Sequence, residues 1–284
     1  MTKTFRIGDF CFLLDYPERI TPPPHFMVFE APDAEAEYAY TLHLCDALPQ
    51  PEGELVAGRM DIQVFENNGL ESRLIGIKGR AEPYACYRET SERSAEVHLA
   101  AERIRDLNID PVFTSLLALE RRLATRGGMV LHCAFVEHRG EAILFSAPSE
   151  TGKTTQANLW AKYRGSETVN GDRALLQPVD GRWTARGWPV CGTSEVCHDR
   201  DVPVRAVVML SQGKTDTVSP LRPLQAFSQL YSQITVNTWN KAFVQQNMDQ
   251  ISALTAQVPI FHLSCTISEE AVRCLESALY PQQG

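Results

Sequence analysis

A short run of small, polar and charged residues, 146–155, has the composition of a loop that holds phosphate groups. It reads Ser-Ala-Pro-Ser-Glu-Thr-Gly-Lys-Thr-Thr. Gly152 lets the backbone approach a nucleotide, Lys153 would reach the β- and γ-phosphates, and Thr154 would ligate Mg²⁺. We therefore expect ATP and Mg²⁺ as cofactors. The expected nucleotide contacts come from Ser149, Glu150, Thr151, Gly152, Lys153, Thr154 and Thr155.

Elements that fit such a loop flank it on both sides. Residues 141–146 read as a strand and residues 154–163 as a helix. A helix that begins directly after the loop adds its dipole and free N–H groups to anion binding. This strand, loop and helix context favours a phosphate site over the alternative, a Gly-Lys turn that merely caps a helix.

Two residues depart from the usual pattern. Ala147 stands where a phosphate loop normally opens with glycine, and its methyl group matters only if the backbone needs a positive φ or touches phosphate. Glu150 places a carboxylate inside a site for anions, where repulsion at about 4 Å costs on the order of 1 kcal/mol in water and more when desolvated. Glu150 must therefore point outward, pair with a cation or serve the chemistry, and it restricts the loop's dihedral angles.

The stretch from Ala147 to Thr155 resembles the G-x-S-G-x-G-K-[ST] loop of HPr kinase/phosphorylase and phosphoenolpyruvate carboxykinase. Residues 131–136, Leu-His-Cys-Ala-Phe-Val, resemble the HPr kinase strand whose histidine precedes the loop, and residues 169–173, Val-Asn-Gly-Asp-Arg, resemble that family's Asp-Asp motif. The resemblance covers roughly residues 113 to 284. It implies a P-loop α/β core with a mixed β-sheet and flanking helices, as in the carboxykinases.

The resemblance also implies roles for single residues. His132 would lie near the reacting phosphate, and Asp172 would bind the metal together with Thr154 or accept a proton. Each has a structural alternative: a hydrogen-bonded strand histidine for His132, a turn residue for Asp172, and a surface salt bridge for Arg173, which could otherwise clamp a phosphate. The candidate catalytic residues are Asp172, His132, Lys153 and Glu150.

The family's first aspartate is replaced by Gly171. Kinases of this kind need a carboxylate for the metal and often a second one to accept the hydroxyl proton. Asp172 must then serve both roles, or Glu150, Glu137 or a group of the substrate takes the second one.

The chain before this core is of a different character. Residues 4–105 alternate as strands do, including the run His-Phe-Met-Val-Phe-Glu-Ala at 25–31, and the first clear helix starts at Asp110-Pro111 and stops at Gly127-Gly128. We predict a β-rich N-terminal region, 1–109, with a substrate or assembly role, and a nucleotide-binding core, 110–284.

The charge and composition of the chain limit its expected partners and location. The net charge of −8 argues against a nucleic-acid partner. The chain shows neither a signal peptide nor an apolar run of about 20 residues, so we expect a cytoplasmic protein with no membrane partner. The eight cysteines form no Cys-x-x-Cys pair and are expected to be free, mostly buried thiols.

The favoured function is an ATP- and Mg²⁺-dependent kinase that phosphorylates a hydroxyl of a protein, peptide or small metabolite. One alternative is a nucleotide-binding regulator without catalysis, indicated by Ala147, Glu150 and Gly171. Another is phosphorolysis or nucleoside triphosphate hydrolysis on the same core. The resemblance also allows a homo-oligomer. The sequence does not name the acceptor.

Overall fold

The computed structural model describes residues 1–59, 61–77 and 82–281. By its internal contacts the chain divides into two compact units, Met1–Leu119 and Glu120–Gly284. The helix that follows Asp110 therefore belongs to the first unit. Both units combine β-sheet with a few helices, which makes the protein a mixed α/β protein.

The first unit is built on one sheet of eight strands within its described residues. These are β1 (Thr2–Ile7), β2 (Phe10–Asp15), β3 (Tyr38–Cys45), β4 (Glu54–Gly58), β5 (Ile62–Asn67), β6 (Leu70–Ile75), β7 (Ala85–Ser91) and β8 (Ser94–Ala100). Their order is β1-β2-β3-β8-β7-β6-β5-β4. β3 runs parallel to both β2 and β8, and the other neighbours are antiparallel.

Aromatic side chains form much of the core of this unit. Along β2 the buried residues alternate with half-buried ones, as a strand with one covered face requires. Phe5, Phe12 and Phe26 are fully buried, and the rings of Phe5 and Phe26 lie 4.8 Å apart. The alternation that predicted strands in the N-terminal region thus reflects which side chains are buried in the core.

One strand predicted in this region is a helix instead. Residues 25–31 were expected to be extended, but Pro24–Met27 forms a single helical turn, α1. Proline at the first helical position is pre-shaped for a helix and has no N–H to leave unsatisfied. This turn places Phe26 in the core.

The single helix predicted after Asp110 is broken in two. A 3₁₀ helix covers Ala101–Asn108, α2 covers Asp110–Ser115 and α3 covers Leu119–Ala124. The break lies at Ala118, whose φ of 46° is left-handed. Four consecutive residues, 116–119, are buried; a straight helix cannot bury adjacent residues on one face, so the chain turns.

The second unit contains the remaining elements. Its strands are β9 (Met129–His138), β10 (Glu141–Ser146), β11 (Glu167–Asn170), β12 (Arg173–Val179), β13 (Arg182–Arg186), β14 (Asp201–Gln212), β15 (Thr217–Pro220) and β16 (Ile260–Cys265). Its complete helices are α4 (Lys153–Arg164), α5 (Pro223–Tyr231), α6 (Lys241–Gln257) and α7 (Glu269–Leu279).

The pairing of these strands brings several strand ends together. The order is β10-β9-β12-β13-β14-β16-β15, and β10 also pairs with β14, so that the first five strands close into a ring. β10, β14 and β16 are parallel neighbours. Their carboxyl ends therefore lie at one edge, which is where open α/β sheets bind ligands. Two apolar clusters, one including Phe135 and the other Trp160, pack within this unit.

Two further expectations concern the whole described chain. Among the described residues, no helix combines the length and apolar character needed to cross a membrane.

All eight cysteines are free thiols, four of them buried. Burial raises the pKa of the Cys133 thiol, which keeps it protonated and unreactive.

The start of α7 offers a test of this local structure. The Ser268 hydroxyl accepts a hydrogen bond from the Ala271 N–H at 3.2 Å and caps the helix. Ser268→Ala should lower the free energy of unfolding by about 1 kcal/mol. Ser277→Ala, an exposed site inside the same helix, should be neutral or slightly stabilising. Urea unfolding of both variants measures the difference, and equal stability would contradict the capping role.

Candidate functional site

The loop between β10 and α4 is anchored at its start. Ser146 is fully buried at the end of β10, and its hydroxyl donates a hydrogen bond to the His132 carbonyl at 2.8 Å. Ala147 is buried and does not have a positive φ, so its methyl group fits without strain. Pro148 and Ser149 are exposed. The loop thus leaves the sheet from a fixed point and rises to the surface.

Glu150 has the backbone conformation of a glycine. Its φ is 65°, in the left-handed region. A residue with a Cβ pays roughly 1–2 kcal/mol there. The loop therefore keeps the shape that glycine would allow, although the residue is glutamate. The Glu150 side chain is exposed, which spares it the cost of desolvation.

Lys153 is the first residue of α4 and is folded back onto the loop. Its ammonium group donates to the carbonyls of Ala147 at 2.9 Å and Pro148 at 3.1 Å. Only 8% of Lys153 is exposed. Burial lowers the pKa of Lys153, and the negative charge of Asp172 offsets this only in part. A buried cation therefore lies inside the loop, within electrostatic range of the aspartate.

The N-terminus of α4 presents free backbone donors. Gly152 precedes the helix with a left-handed φ of 114°, and no side chain caps the helix. The Gly152 carbonyl accepts a hydrogen bond from the Gln156 N–H, the first backbone hydrogen bond of the helix. The N–H groups between them have no partner within the helix. Thr154 is exposed, so its hydroxyl lies beside these donors at the surface.

Asp172 is held by a turn that Asn170 builds. The Asn170 side-chain oxygen accepts the N–H groups of both Asp172 and Arg173 at 2.9 Å. Its amide nitrogen donates to the Trp188 carbonyl at 2.8 Å. β11 and β12, on either side of this turn, both pair with β9. The Asn-Gly-Asp sequence is therefore not the tip of a simple hairpin.

The Asp172 carboxylate lies between two nitrogen-bearing side chains. His132 Nε2 is 3.5 Å from one oxygen and Arg173 Nε is 3.0 Å from the other. His132 and Arg173 are cross-strand partners on β9 and β12. Burial raises the pKa of Asp172, but the hydrogen bond from His132 and the charge of Arg173 outweigh it, and the pKa is lowered. Asp172 is thus an ionised and weakly basic carboxylate.

Gly171 leaves no room for a second carboxylate. A Cβ at this position would lie 2.0 Å from Ser194 Oγ and 2.3 Å from Ser194 Cβ. Ser194 donates to the Cys191 carbonyl at 2.7 Å, which fixes it there. A Cβ on Gly192 would lie 3.1 Å from that of Asp172. The segment 191–194 therefore packs directly over the Gly171-Asp172 turn.

Glu137, the other alternative acid, belongs to a different ion pair. Arg200 contacts Glu137 and Glu167, each at 2.7 Å. Glu137 is five residues beyond His132 on the same strand, a separation of roughly 16 Å in extended chain. Its carboxylate is thus occupied away from Asp172.

A cavity of about 540 Å³ opens beside the loop. It lies at the carboxyl ends of β14 and β16. Its polar and apolar lining comes from Glu150, Thr151, Gly152, Thr155, Gln156, Gln212, Gly213, Cys265, Thr266 and Ile267. The volume lies within the range of sites that bind drug-sized ligands.

The structure thus brings Lys153, His132, Asp172 and Arg173 together. Glu150, Thr151, Gly152 and Thr155 line the adjoining cavity, whereas Ser149 and Thr154 are exposed and lie outside its lining. The hydrogen bonds of the Asn170 side chain, the contact of Ser194 with Gly171 and the far wall of the cavity were not predicted from the sequence. Asn170 carried a usable signal, because asparagine readily bonds to the backbone two residues ahead. The contact of Ser194 with Gly171 had no such signal, because it depends on the fold.

A family model described as "SynChlorMet cassette protein ScmC" matches residues 98–279, which is more than half of the chain. The chain belongs to the ScmC family. The match covers all of the residues in this chain that form the loop, the aspartate turn and the cavity. No curated protein matches the chain at a significant level.

Among solved structures, the chain is similar to the HPr(Ser) kinase/phosphatase from Coxiella burnetii. The alignment has 11% identity and a TM-score of 0.31, and it covers 53% of this chain and 92% of that chain.

The conformation of Glu150 gives a stability test. Glu150→Gly should raise the free energy of unfolding by about 0.5–1 kcal/mol relative to Glu150→Ala, because relief of left-handed strain exceeds the added flexibility of glycine. Alanine removes the carboxylate but keeps the Cβ, so it separates strain from charge. Chemical unfolding measures both variants. If the two variants are equally stable, the left-handed strain is absent.

The lowered pKa of Asp172 gives a pH test. A carboxylate whose pKa is lower in the folded state stabilises the fold above its ordinary value of 3.8, and this contribution is lost as the pH falls through the folded value. Asp172→Asn should therefore be destabilised relative to wild type at about pH 7, and the gap should narrow at about pH 3. Asp249→Asn, an exposed site, is the control. A gap independent of pH would refute the ion-pair explanation.

Proposed function

We propose that the chain is an ATP- and Mg²⁺-dependent kinase that transfers a phosphoryl group to a hydroxyl of a protein, a peptide or a small metabolite. The observation that carries this proposal is the buried Lys153 at the first position of α4, inside a loop whose helix end is uncapped. A loop of this kind offers a cation, backbone donors and a helix dipole to one phosphate chain.

The donor set also fits Mg²⁺-ATP. Mg²⁺ is typically held by one or two carboxylates, waters and the phosphates of the substrate. The exposed Thr154 hydroxyl and the ionised Asp172 carboxylate are the protein ligands we assign to it. The cavity beside Thr155 and Gln156 would take the rest of the nucleotide. Held by these residues, Mg²⁺ would supply positive charge against the negative charge that develops during transfer.

The protein groups would act by positioning and by charge. Lys153 would exchange its bonds to the carbonyls of Ala147 and Pro148 for phosphate oxygens. His132 and Arg173 keep Asp172 ionised and oriented, and Arg173 would add a second cation for the phosphates. Glu150, at the exposed rim of the loop, remains the second acid we propose for the chemistry.

The low pKa of Asp172 limits what it can do as a base. An efficient general base has a pKa near the working pH. The transition state of phosphoryl transfer is largely dissociative and demands little proton removal early on. Asp172 therefore suits metal binding and orientation of the acceptor hydroxyl, with proton acceptance late in the transfer.

The packing of Ser194 against Gly171 favours a second candidate function. With no space for the second carboxylate, the site would bind nucleotide and respond to it without transferring phosphate. This regulator shares the nucleotide site with the kinase and differs only in turnover. The free thiols of the chain suit the reducing cytoplasm in either case.

Lys153→Met tests the shared nucleotide site. The variant should weaken Mg²⁺-ATP binding by about tenfold or more, since it removes the only cation assigned to the loop interior. Lys162→Met, an exposed lysine on the same helix, is the matched control and should bind as wild type does. Isothermal titration measures all three proteins. Equal affinity in the two variants would rule out the proposed site.

Asp172→Asn separates the kinase from the regulator. For a kinase, the variant should still bind ATP but lose turnover by about 10²–10³-fold, measured as ADP release with hydroxyl-bearing peptides, sugars and polyols. If wild type binds Mg²⁺-ATP and turns over with none of these acceptors, the regulator stands and the kinase does not.

A further inference from the structure

Two histidines and a glutamate meet on one face of the N-terminal sheet, far along the sequence from the phosphate loop. β3 and β8 are parallel neighbours, and His43 is the direct partner of His98 in their register. Glu96 lies two residues before His98 on β8. Because strand side chains alternate with a period of two, all three lie on the same face.

The potential ligand atoms of these residues are already close. The imidazole rings of His43 and His98 are stacked, 4.9 Å apart with an interplanar angle of 24°. His98 Nε2 is 3.4 Å from Glu96 Oε2. One ligand atom from each of the three residues lies within 4.8 Å of the others.

These distances match a metal polyhedron. Zinc binds imidazole nitrogen and carboxylate oxygen at about 2.0–2.2 Å in a tetrahedral arrangement, which places neighbouring ligand atoms roughly 3.4 Å apart. The His98 to Glu96 distance already has that value. His43 would supply the third ligand by a change of side-chain rotamer, because strand pairing already places its ring against that of His98.

We propose that His43, Glu96 and His98 form a binding site for one divalent transition-metal ion of the Zn²⁺ type. Imidazole nitrogen favours zinc, nickel, cobalt and copper, whereas Mg²⁺ and Ca²⁺ prefer oxygen ligands. Three protein ligands leave one tetrahedral position open to water or to a ligand. The site is therefore distinct in metal preference from the Mg²⁺ site proposed at the loop.

Arg88 competes with the metal for the Glu96 carboxylate. Its guanidinium lies 2.8 Å from Glu96 Oε2, and it also lies 3.7 Å from Glu52. When a metal takes Glu96, Arg88 keeps Glu52 as a carboxylate partner. The side chains of His98 and Glu96 are 21% and 33% exposed, so an ion can reach them from solvent.

Calorimetric titration of the full chain with Zn²⁺, under reducing conditions, tests the site. We expect one ion per chain, and His43→Gln, His98→Gln and Glu96→Gln should each weaken binding by about tenfold or more. His198→Gln, an exposed histidine in the second unit, is the matched control and should leave affinity unchanged. Circular dichroism checks that each variant is folded. Equal binding by the His43 and His198 variants overturns the proposal.

Arg88→Met provides an independent arm, because it removes the competitor and keeps all three ligands. It should tighten Zn²⁺ binding, and weaker binding would contradict the geometry. Co²⁺ substitution reports the ligand type by absorption. Spectra without a thiolate charge-transfer band support the site, and a strong band assigns the ion to a cysteine and overturns it. Mg²⁺ should produce no heat that depends on His43.

Discussion

The loop between β10 and α4 is organised around one buried ammonium group, that of Lys153. A buried cation is costly unless hydrogen bonds and opposite charge compensate it. The loop supplies the hydrogen bonds through two of its own carbonyls, and Asp172 supplies the charge. The approach of Asp172 to the loop requires that β10 and β12 flank β9, which carries His132. The ring of strands thus fixes the electrostatics on which the loop depends.

Both the backbone and the side chain of Asp172 are held in place by neighbouring residues. Asn170 fixes its backbone, His132 and Arg173 fix its oxygens, and Gly192 packs against its Cβ. Such a side chain loses little entropy when it meets a ligand, which is the value of preorganisation in a charged site. The same packing explains Gly171. Any larger residue there would displace Ser194 and loosen the turn that holds Asp172.

The sequence predicted local features well and contacts between distant segments poorly. Residues 141–163 read correctly as strand, loop and helix because each signal is local: an apolar run, glycine, then helix formers. The predicted helix after Asp110 failed at Ala118, where burial of adjacent residues overrode helix propensity. The strand predicted at residues 25–31 failed because the apolar pattern takes no account of the three prolines directly before it, at positions 22–24. Ser194 reaches Gly171 across more than twenty residues, and no short-range pattern encodes that approach.

The two departures from the phosphate-loop pattern turn out to be physically different. Ala147 is buried without strain and changes little. Glu150 is held in a left-handed conformation, and such strain persists only where the surrounding structure enforces it. The fixed ends of the loop, Ser146 in the sheet and Gly152 at the helix, provide that enforcement. Glu150 therefore adopts the loop conformation that glycine would take more easily, and it brings a carboxylate to the edge of the cavity.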